Sequence, residues 1–564
     1  MDNSPLLEVK DLAISFKSKN SYKPIIKTIS FKLSVNSFTA IVGESGSGKS
    51  VTALALMGLL PPKLSQINSG SILLSNKEII GLPIAEMRKI RGKDIAMIFQ
   101  EPMSSLNPSM RCGSQVAEIL KEHFYLNSSE IKAEVLRLFE QVKLPNPERI
   151  YKAYPHEISG GQKQRVMIAM AIAYKPKLLI ADEPTTALDV TVQKEILDLL
   201  KDIQKKTQMS VLFISHDLAL VSQIADKVIV MYKGEIVEQG SKSSIFNSPK
   251  HRYTKALIGA RPSTKNRVKL LPTISDFMSN SFKSELVTTK ERQQRHKKLY
   301  KQQPLLEVND VEKAYITKSG WLKSNSFFKA VNGVSFKVYP GETLGLVGES
   351  GCGKSTLGNI ILQLDKATAG KIRYKGKDIT NLSKSEMRRL RKDIQIIFQD
   401  PFASLNPRLK VGEAILEPMK VHNIWENNKE RKLKVLEILK SVGLSEVDFD
   451  KFPHQFSGGQ RQRIGIARTI ALNPKLIICD ESVSALDISV QAQVLNLLNK
   501  LKDQYGFTYI FISHDLSVVK YMADQLLVMN EGKIEEIGDA DEVFSNPKKP
   551  YTKRLINAIP DGID

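Results

Sequence analysis

Short apolar runs alternate with amphipathic stretches along this chain, and the same order of elements occurs twice. The runs Leu178–Ala181 and Val211–Ile214 are matched later by Leu476–Cys479 and Tyr509–Ile512. Each run has the length of a buried strand, and segments with helical periodicity separate the runs. Strands that are wholly apolar and alternate with helices favour an α/β fold, with a largely parallel sheet covered by helices.

A different pattern interrupts each α/β region. In the first half, four apolar residues recur at i, i+4, i+7 and i+8, the spacing of one helix face: Ile131, Val135, Leu138 and Phe139. Asn127 or Ser128 precedes them as a helix cap. The second half repeats the amphipathic segment with these residues: Val435, Ile438, Leu439 and Val442. We interpret each segment as a small helical subdomain inserted into the α/β core.

The spacing between matching tetrapeptides gives the length of the internal repeat. Leu6–Val9 recurs as Leu305–Val308, an offset of 299 residues, and Ser159–Gln162 recurs as Ser457–Gln460, an offset of 298. At the glycine-rich loops described below the offset is 305, which indicates a small insertion. We place it at residues 61–69 of the first half. The chain is therefore predicted to contain one domain type twice.

Between the two copies the pattern is lost. Residues 263–303 are polar and basic and include the run Lys290–Lys298. We predict a first domain at residues 1–262, a partly helical basic linker at 263–303 and a second domain at 304–564. The linker is able to contact lipid headgroups or RNA, but we favour a solvated segment.

Length and apolar content limit the class of protein. A chain of 564 residues exceeds the ~250 to 300 residues that one core usually reaches, so several domains are expected. The longest apolar runs, such as Val51–Leu60 and Val166–Tyr174, are shorter than the ~18 residues that cross a bilayer. The N-terminus lacks the pattern of a secretory signal. We therefore expect a cytoplasmic protein without membrane spans.

Charge and cysteine content add less specific information. The 82 basic and 60 acidic residues give a net charge of +22, which suits nucleic acid or an anionic membrane leaflet. A solvated basic surface is the alternative. The three cysteines, Cys112, Cys352 and Cys479, are too scattered for a disulfide framework or a zinc site, so we expect small buried or loop residues.

Two glycine-rich segments carry the most specific chemistry. Both fit the phosphate-loop pattern G-x-x-x-x-G-K-[ST], follow a β-type run and precede a helical one. In such a loop, backbone N–H groups surround phosphate oxygens at a helix N-terminus. We predict that Lys49 and Lys354 contact the β- and γ-phosphates and that Ser50 and Ser355 bind Mg²⁺. The predicted nucleotide-binding residues are Gly43, Glu44, Ser45, Gly46, Ser47, Gly48, Lys49, Ser50 and Val51, and Gly348, Glu349, Ser350, Gly351, Cys352, Gly353, Lys354, Ser355 and Thr356.

An acidic pair follows a buried strand in each half. The pairs are Asp182-Glu183 and Asp480-Glu481. An aspartate at this position can hold Mg²⁺, and its neighbour can orient or deprotonate the attacking water. We therefore assign the aspartates to the metal and the glutamates to the catalytic base. An isolated acidic pair at a strand end is usually a solvated feature, and the upstream phosphate loop is what favours the catalytic interpretation.

Two further residue pairs follow apolar runs. Gln100 and Gln399 each end such a run, and their neutral amides can reach Mg²⁺ or the attacking water. His216 and His514 also end strands, where they can contact a γ-phosphate. A single histidine is more often structural than catalytic, so the repetition is what makes these two candidates.

With these motifs present twice, the chain resembles two nucleotide-binding domains of ABC ATPases fused in tandem. The segments similar to the ABC signature are Ser159-Gly160-Gly161-Gln162 and Ser457-Gly458-Gly459-Gln460. Each would form a glycine-rich helix start and a second anion site. The resemblance implies that each half has a P-loop RecA-like core, an inserted helical subdomain and a small antiparallel β subdomain. It also implies ATP and Mg²⁺ as cofactors.

The resemblance further implies that the two domains pair head to tail within the chain. One ATP site would combine Lys49 with Ser457, and the other would combine Lys354 with Ser159. The segments that resemble the D-loop linking such sites are Ala187-Leu188-Asp189 and Ala485-Leu486-Asp487.

Two aromatic residues at equivalent places complete the comparison. Phe16 and Tyr315 look like the aromatic residue that stacks on adenine, although a core aromatic would occupy such a strand equally well.

The second half departs from the first directly after the acidic pair, where it has Ser482 and the first half has Pro184. Because both acidic pairs are intact, we expect two competent sites.

Longer segments resemble one family of ABC importers, the oligopeptide/dipeptide (and nickel) family. Gln100–Pro108 and Gln399–Pro407 are similar to its glutamine loop, and Asn247–Leu257 and Asn546–Leu555 are similar to its C-terminal segment. A Pro…Tyr-Thr segment alone is an ordinary C-terminal helix cap. Its duplication beside the Ser-Leu-Asn-Pro loop makes the resemblance specific.

Membership of this family implies an ATPase subunit that powers import of peptides or peptide-like solutes, with nickel or glutathione as the alternatives. Two transmembrane permease subunits would dock near residues 101–125 and 400–425, and an extracytoplasmic binding protein would select the solute. The chain would then lie on the cytoplasmic face of the inner membrane and bind no nucleic acid.

The rival from another class is a tandem ABC ATPase that acts on ribosomes, for which a basic chain would be natural. Such proteins usually have a longer charged, helical linker and lack the Tyr-Thr segment, so the sequence argues against this class. A DNA-repair ABC ATPase would need zinc modules or long coiled coils, which the sequence lacks.

Overall fold

The computed structural model describes residues 4–18, 21–100, 105–186, 188–263, 266–279, 285–317, 326–400, 404–484 and 486–559. The predicted D-loop residues Ala187 and Ala485, and parts of the predicted docking regions (101–104 and 401–403), lie outside the described residues. Contacts divide the chain into two compact units. The first unit runs to Gly259, and the second spans Ala260–Ile559.

Parallel strands form the centre of the first unit. Its strands are β1 (Leu7–Ser18), β2 (Ser21–Leu33), β3 (Phe38–Val42), β4 (Ser65–Leu74), β5 (Lys77–Glu78), β6 (Ile95–Ile98), β7 (Leu178–Asp182), β8 (Ser210–Ser215), β9 (Lys227–Tyr232) and β10 (Glu235–Ser241). Strands β9, β3, β8, β7 and β6 are neighbours in this order and run parallel. Strands β5, β4, β1 and β2 form an antiparallel part, joined to β10 by a bridge between Thr28 and Glu235.

The helices of the first unit are α1 (Lys49–Leu56), α2 (Ile84–Ile90), α3 (Cys112–His123), α4 (Ser128–Gln141), α5 (Pro147–Lys152), α6 (Gly160–Ile172), α7 (Val190–Thr207), α8 (Leu218–Ile224), α9 (Lys242–Asn247) and α10 (Arg252–Gly259). Helices α3 to α6 pack on one another between β6 and β7 in the chain order. They form the inserted helical subdomain that the sequence predicts.

The second unit repeats this architecture after two additional helices, α11 (Ile274–Ser279) and α12 (Thr289–Leu299). Its strands are β11 (Leu306–Thr317), β12 (Ser326–Val338), β13 (Thr343–Val347), β14 (Ala369–Tyr374), β15 (Lys377–Asp378), β16 (Ile394–Ile397), β17 (Leu476–Asp480), β18 (Thr508–Ile512), β19 (Gln525–Asn530) and β20 (Lys533–Asp539). Its other helices are α13 (Lys354–Ile361), α14 (Lys384–Asp393), α15 (Val411–Val421), α16 (Asn428–Ser441), α17 (Gly458–Ile470), α18 (Ile488–Tyr505), α19 (Leu516–Met522), α20 (Ala540–Ser545) and α21 (Pro550–Asn557).

The sheets of the second unit confirm the predicted fold class. Strands β16, β17, β18, β13 and β19 are parallel neighbours, and β20 lies antiparallel at the end of this sheet. Strands β12, β11, β14 and β15 form the small antiparallel sheet. Each unit therefore combines a parallel α/β core, an antiparallel β part and a helical subdomain.

The amphipathic segments form helices at the predicted places. In α4 the four predicted residues are the buried ones, and Asn127 caps the helix in a reciprocal arrangement with Glu130. In α16 the buried residues are Val435, Ile438 and Leu439, and Val442 follows the helix and is also buried. The helical period was a reliable signal here because one helix face carries the contact with the rest of the subdomain.

The difference in repeat offset has two sources, of which the prediction included one. Leu7 pairs with Leu33 across the β1–β2 hairpin, and Leu306 pairs with Val338 across the β11–β12 hairpin. The distance along the chain is six residues longer for the second pair than for the first. The second unit therefore has extra residues between β11 and β12. After the loops, the first unit has the longer connection, where β4 is ten residues long against six in β14, and this is the insertion placed at residues 61–69.

The described residues between 266 and 303, predicted as a linker, pack on the second unit. Arg267 donates to Asp541 at 2.9 Å, and Arg292 on α12 pairs with Asp539 at 3.0 Å. Both arginine side chains are largely buried. These contacts make the segment part of the second compact unit.

The cysteines and the apolar character of the helices were also predicted from the composition. Cys112, Cys352 and Cys479 are free thiols, and all three are buried, as expected. Among the described helices, none combines enough length and apolar character to cross a bilayer.

Candidate nucleotide-binding sites

The first phosphate loop connects β3 to α1. All five residues of β3 are buried, and α1 begins at Lys49 directly after Gly48, whose φ is 105°. Gly43 has a φ of 154°, and a Cβ at this position would lie 2.2 Å from the carbonyl oxygen of Met231. Glycine is therefore required there. The loop ends at a helix N-terminus, whose dipole favours an anion.

Lys49, predicted to bind phosphate, and Ser50, predicted to bind Mg²⁺, are adjacent at the start of α1. The buried Lys49 ammonium donates to the carbonyl oxygens of Gly43 at 2.8 Å and Glu44 at 2.9 Å. Ser50 Oγ donates to Oδ1 of Asp182 at 3.2 Å. A hydroxyl beside a carboxylate supplies the oxygen ligands that Mg²⁺ prefers.

Glu183 is the centre of an adjacent group. Its Oε2 accepts hydrogen bonds from Gln100 and Thr186, both at 3.1 Å, and lies 3.1 Å from Nδ1 of His216. Its φ of 47° lies in the left-handed region, and its N–H donates to the carbonyl oxygen of Ile214. Backbone strain is thus retained where three side chains converge on one carboxylate.

The two acidic neighbours have opposite pKa shifts. Burial raises the pKa of Asp182 to about 6, and the hydrogen bond from Ser50 offsets this only in part. Burial also raises the pKa of Glu183, but the hydrogen bond and charge of His216, with the charge of Lys49, lower it more, so the net pKa falls. Glu183 is therefore ionised at neutral pH, in the state that a group must have to orient water or accept its proton.

The second phosphate loop repeats the first. Lys354 donates to the carbonyl oxygens of Gly348 at 2.8 Å and Glu349 at 2.9 Å. Ser355 Oγ donates to Oδ1 of Asp480 at 3.2 Å. Burial raises the pKa of Asp480, against the hydrogen bond from Ser355.

The glutamate of the second unit is held by a similar group. Glu481 has a φ of 47°, accepts from Gln399 at 2.9 Å and lies 3.4 Å from Nδ1 of His514. Ser484, the counterpart of Thr186, donates to the main-chain oxygen of Glu481 instead of its carboxylate. The hydrogen bond from His514 lowers the pKa of Glu481 despite burial. Burial lowers the pKa of His514, but the Glu481 carboxylate raises it more.

The signature residues form a separate feature at two helix starts. Ser159 caps α6 and Ser457 caps α17, and each hydroxyl accepts the N–H group three residues further on, at 3.3 and 3.4 Å. The glycines that follow begin each helix. The pairing of each signature with the phosphate loop of the other half stays a prediction.

The D-loop and aromatic candidates occupy different surroundings in the two halves. Asp189 caps α7 by accepting from the N–H of Val192 at 3.0 Å. Phe16 packs partly buried against the core of the first unit. Tyr315 is 43% exposed, and its hydroxyl donates to Asp365 at 2.7 Å. Adenine stacking by these aromatics stays a prediction.

Two kinds of contact were not predicted from the sequence. Thr186 donates to Glu183, and no spacing rule marks it. Tyr253 on α10 accepts from the N–H of Glu44 at 3.0 Å, and Tyr551 on α21 makes the same contact with Glu349. The duplicated Tyr-Thr segment was the available signal for these tyrosines, and it was used only to recognise a family.

A glycine-rich phosphate loop, a serine–aspartate pair and an ionised glutamate, repeated in two α/β units, define a tandem P-loop nucleotide-binding protein. The family described as ABC transporter matches residues 26–186 and 331–484. The oligopeptide/dipeptide transporter C-terminal region matches residues 237–281 and 536–562. The chain belongs to the ABC transporter family, as a tandem ATP-binding subunit of its oligopeptide/dipeptide branch. It is an ATPase, and its partners are membrane permeases.

Relatives are similar along almost the whole chain. The glutathione import ATP-binding protein GsiA of Escherichia coli O6:H1 is 46% identical over 566 residues, which cover 99% of this chain and 90% of that protein. GsiA of Salmonella typhimurium is 45% identical over 567 residues with the same coverage. The solved dimeric ATP-binding cassette MJ0796, bound to ADP and Pi, is 31% identical and covers 42% of this chain and 98% of that chain, with a TM-score of 0.38.

Proposed function

We propose that this chain hydrolyses ATP to drive import of glutathione, or of a related peptide, through two permease subunits. The observation that carries the proposal is the 45–46% identity, over 99% of the chain, to proteins named for glutathione import. An extracytoplasmic binding protein would select the solute, and the chain would lie on the cytoplasmic face of the membrane. Import of nickel or of other peptides is the alternative within the same family.

The residues of each site suit hydrolysis of a phosphoanhydride. The loop lysine would exchange its two carbonyl contacts for the β- and γ-phosphates. Glu183 and Glu481 would orient or deprotonate the water that attacks the γ-phosphorus, and His216 and His514 would contact the γ-phosphate. The attack forms the new P–O bond to water as the bond to the β-phosphate oxygen breaks, and ADP leaves with its electron pair.

The oxygen donors beside each loop fit Mg²⁺. The serine and aspartate oxygens lie 3.2 Å apart in both units, and Gln100 and Gln399 would add an amide oxygen. Mg²⁺ keeps several waters and is usually held by few protein ligands plus phosphate, so a small donor set is sufficient. Bound Mg²⁺ neutralises the negative charge on the phosphates.

ATP would lie between the two halves, with the phosphate loop of one facing the signature of the other. This arrangement is supported by the exposure of Ser159 and Ser457 at helix N-termini, where they are able to receive a ligand from outside their own unit. Binding of ATP would close the pair, and hydrolysis with product release would reopen it.

A groove in the second unit supports permease docking. A cavity of about 500 Å³ lies between the α/β core and the helical subdomain, with Leu362, Leu364, Phe398, Glu417 and Val421 among its lining residues. Phe398 directly precedes Gln399, whose amide holds the carboxylate of Glu481. A permease segment in this groove would therefore lie next to the residue that contacts the proposed base.

The first test is to identify what co-purifies with the chain from detergent-solubilised membranes. A form with Glu183→Gln and Glu481→Gln should bind ATP without hydrolysing it and so hold its partners longer. We expect two polytopic permeases with both forms. The binding protein of the same transporter should then bind glutathione in preference to di- and tripeptides without its γ-linkage.

Two outcomes would contradict the proposal in different ways. Recovery of ribosomes without a permease would overturn the transport function and leave the ATPase. Recovery of permeases whose binding protein takes nickel or ordinary peptides, and not glutathione, would overturn only the solute.

A further inference from the structure

We propose that Tyr253 and Tyr551 are positioning residues that hold the two phosphate loops in their nucleotide-binding form. The main-chain N–H of Glu44 donates to Oη of Tyr253 at 3.0 Å, and that of Glu349 donates to Oη of Tyr551 at 3.0 Å. Both tyrosines are buried, with 0% and 5% of their surface exposed. The inference rests on the proposed phosphate-binding role of these loops.

Each tyrosine is brought to its loop by a carboxylate on the last strand of its unit. Glu238 on β10 accepts from the N–H groups of Lys250 at 2.8 Å and His251 at 3.0 Å, just before α10 begins. Glu536 on β20 holds the residues before α21 in the same way. Tyr253 and Tyr551 are the second residues of these helices. The carboxylate therefore fixes the start of the helix and, with it, the position of the tyrosine.

The contact fixes one particular peptide group. The peptide between Gly43 and Glu44 is bound at both ends, because its carbonyl oxygen accepts from Lys49 and its N–H donates to Tyr253. In the proposed reaction, Lys49 leaves this carbonyl for the phosphates. The hydrogen bond to Tyr253 would still hold the N–H end of this peptide after that exchange.

The surroundings of the two rings differ, whereas the hydroxyl contact is the same. The ring of Tyr253 stacks on Tyr232 with centroids 4.1 Å apart. The ring of Tyr551 has the guanidinium of Arg554 at 5.6 Å from its centroid. Ring packing has therefore varied between the units, and the hydrogen bond to the loop is what both retain.

The test removes only the hydroxyl groups. The 564-residue chain is prepared with Tyr253→Phe and Tyr551→Phe together, and its affinity for MgADP is measured by calorimetry beside its thermal unfolding midpoint. We expect the Kd for MgADP to rise about 5- to 10-fold, as for the loss of one buried hydrogen bond. Tyr232→Phe is the matched control, since it removes a neighbouring tyrosine hydroxyl and keeps the stacked ring, and its Kd should match that of the unchanged chain.

A separate variant distinguishes failure of this inference from failure of the proposed site. Lys49→Ala with Lys354→Ala should weaken MgADP binding strongly if the loops bind phosphate. If the lysine variant binds weakly and the tyrosine variant binds normally, the tyrosines do not position the loops. A lower unfolding midpoint with an unchanged Kd would likewise overturn the inference, because the hydroxyls would then serve only stability. Normal binding by the lysine variant would overturn the proposed site and the inference with it.

Discussion

In both units the loop lysine donates to the same two carbonyl positions at 2.8 and 2.9 Å, and the serine hydroxyl lies 3.2 Å from the aspartate. The glutamates are held less uniformly. Glu183 accepts from Thr186 and is 13% exposed, whereas Glu481 has no such contact from Ser484 and is 22% exposed. The residues predicted to bind phosphate and metal are thus arranged alike in both units, and the contacts of the glutamate vary.

A larger difference lies beneath the strand that leads into each loop. In the second unit, burial raises the pKa of Glu342 to about 7, and Tyr300 donates to its carboxylate at 3.1 Å. Lys502 is buried nearby and donates to Thr343 at 2.6 Å. The first unit has uncharged Ser37 and Gln204 at the positions of Glu342 and Lys502.

The additional charged residues of the second unit lie around Asp524, next to helix α12. Arg295 on α12 donates to Asp524 at 3.0 Å, and Asp524 also accepts from Lys502 at 3.1 Å and from the N–H of Thr343. In the first unit the equivalent Asp226 accepts from the N–H of Phe38. Both units therefore have the aspartate that fixes the loop strand, and the second unit adds cations around it where the described residues between 266 and 303 pack.

The largest expected effect tests whether the two sites are equivalent. Replacing Glu183 and Glu481 by glutamine together should lower kcat for ATP hydrolysis about 10²- to 10⁴-fold, the usual contribution of a general base. Because both carboxylates have the same glutamine and histidine contacts, the two single variants should lose activity to within about twofold of each other, by the same estimate. The measurement is steady-state phosphate release, with Glu235→Gln, a half-exposed surface change, as the control. Loss confined to one single variant would show that only one site hydrolyses ATP.

Local patterns predicted the parts of the site that lie next to one another in the chain. The phosphate loop joins a strand to a helix within a few residues, and the acidic pair ends its own strand, so spacing alone located both. The parallel sheet followed from apolar runs such as β7 and β8, which are buried on both faces.

Contacts between distant residues were not predictable in this way. Tyr253 and Glu44 are 209 positions apart, and no local period relates them. The basic run that includes Arg292 suggested a solvated linker, because a sequence does not show that Asp539 and Asp541 face it from another part of the fold. Burial of a charge depends on its partner, which only the tertiary structure supplies.

The second prediction concerns stability and separates the two units. Arg292→Ala removes a 9% exposed guanidinium that pairs with Asp539 and Asp541 and donates to the carbonyl oxygen of Asp524. Breaking such a group should lower the free energy of unfolding of the second unit by about 3 kcal/mol. Peptide-resolved hydrogen exchange should become faster in β13 and β19 than in the unchanged chain, and the exchange rate of β3 should stay the same.

The control for this prediction is Lys297→Ala, an exposed change on the same helix. It should leave exchange unchanged in both units. Equal exchange in the Arg292→Ala and Lys297→Ala chains would mean that the packed segment contributes nothing to the second unit.

The third prediction is a pH dependence confined to the second unit and smaller than the loss from Arg292→Ala. Asp524 and then Asp539, which lie 3.5 and 3.2 Å from the ring nitrogens of His296, raise its pKa, against burial and the charge of Arg292. A raised folded pKa gives stability that is fully present below the unfolded value of about 6.5 and is lost as pH rises through the folded value.

Hydrogen exchange of β19 should therefore become faster, after correction for intrinsic rates, between pH 6 and pH 8.5. His296→Gln should make this dependence smaller, while β9 in the first unit should show none in either chain. The part that survives the substitution should come from Glu342, whose pKa burial raises to about 7. An equal dependence in the unchanged and His296→Gln chains would mean that His296 contributes nothing to it.

The smallest expected effect examines the contact that distinguishes the two glutamates. Thr186→Val keeps the shape of the side chain and removes its donor to Glu183, so the pKa of Glu183 should rise towards its ordinary value. Because the proposed base would act in its ionised form, the acid limb of the kcat profile should move to higher pH, and kcat on that limb should fall about threefold, as for loss of one hydrogen bond. At pH 7, where a carboxylate of ordinary pKa is still ionised, kcat should be nearly unchanged. Ser484→Ala removes a hydroxyl that contacts only the main-chain oxygen of Glu481 among the described contacts, so its acid limb should stay in place. Equal shifts in both variants would mean that the hydroxyl acts through the loop backbone, and that the two glutamates are held alike despite their different contacts.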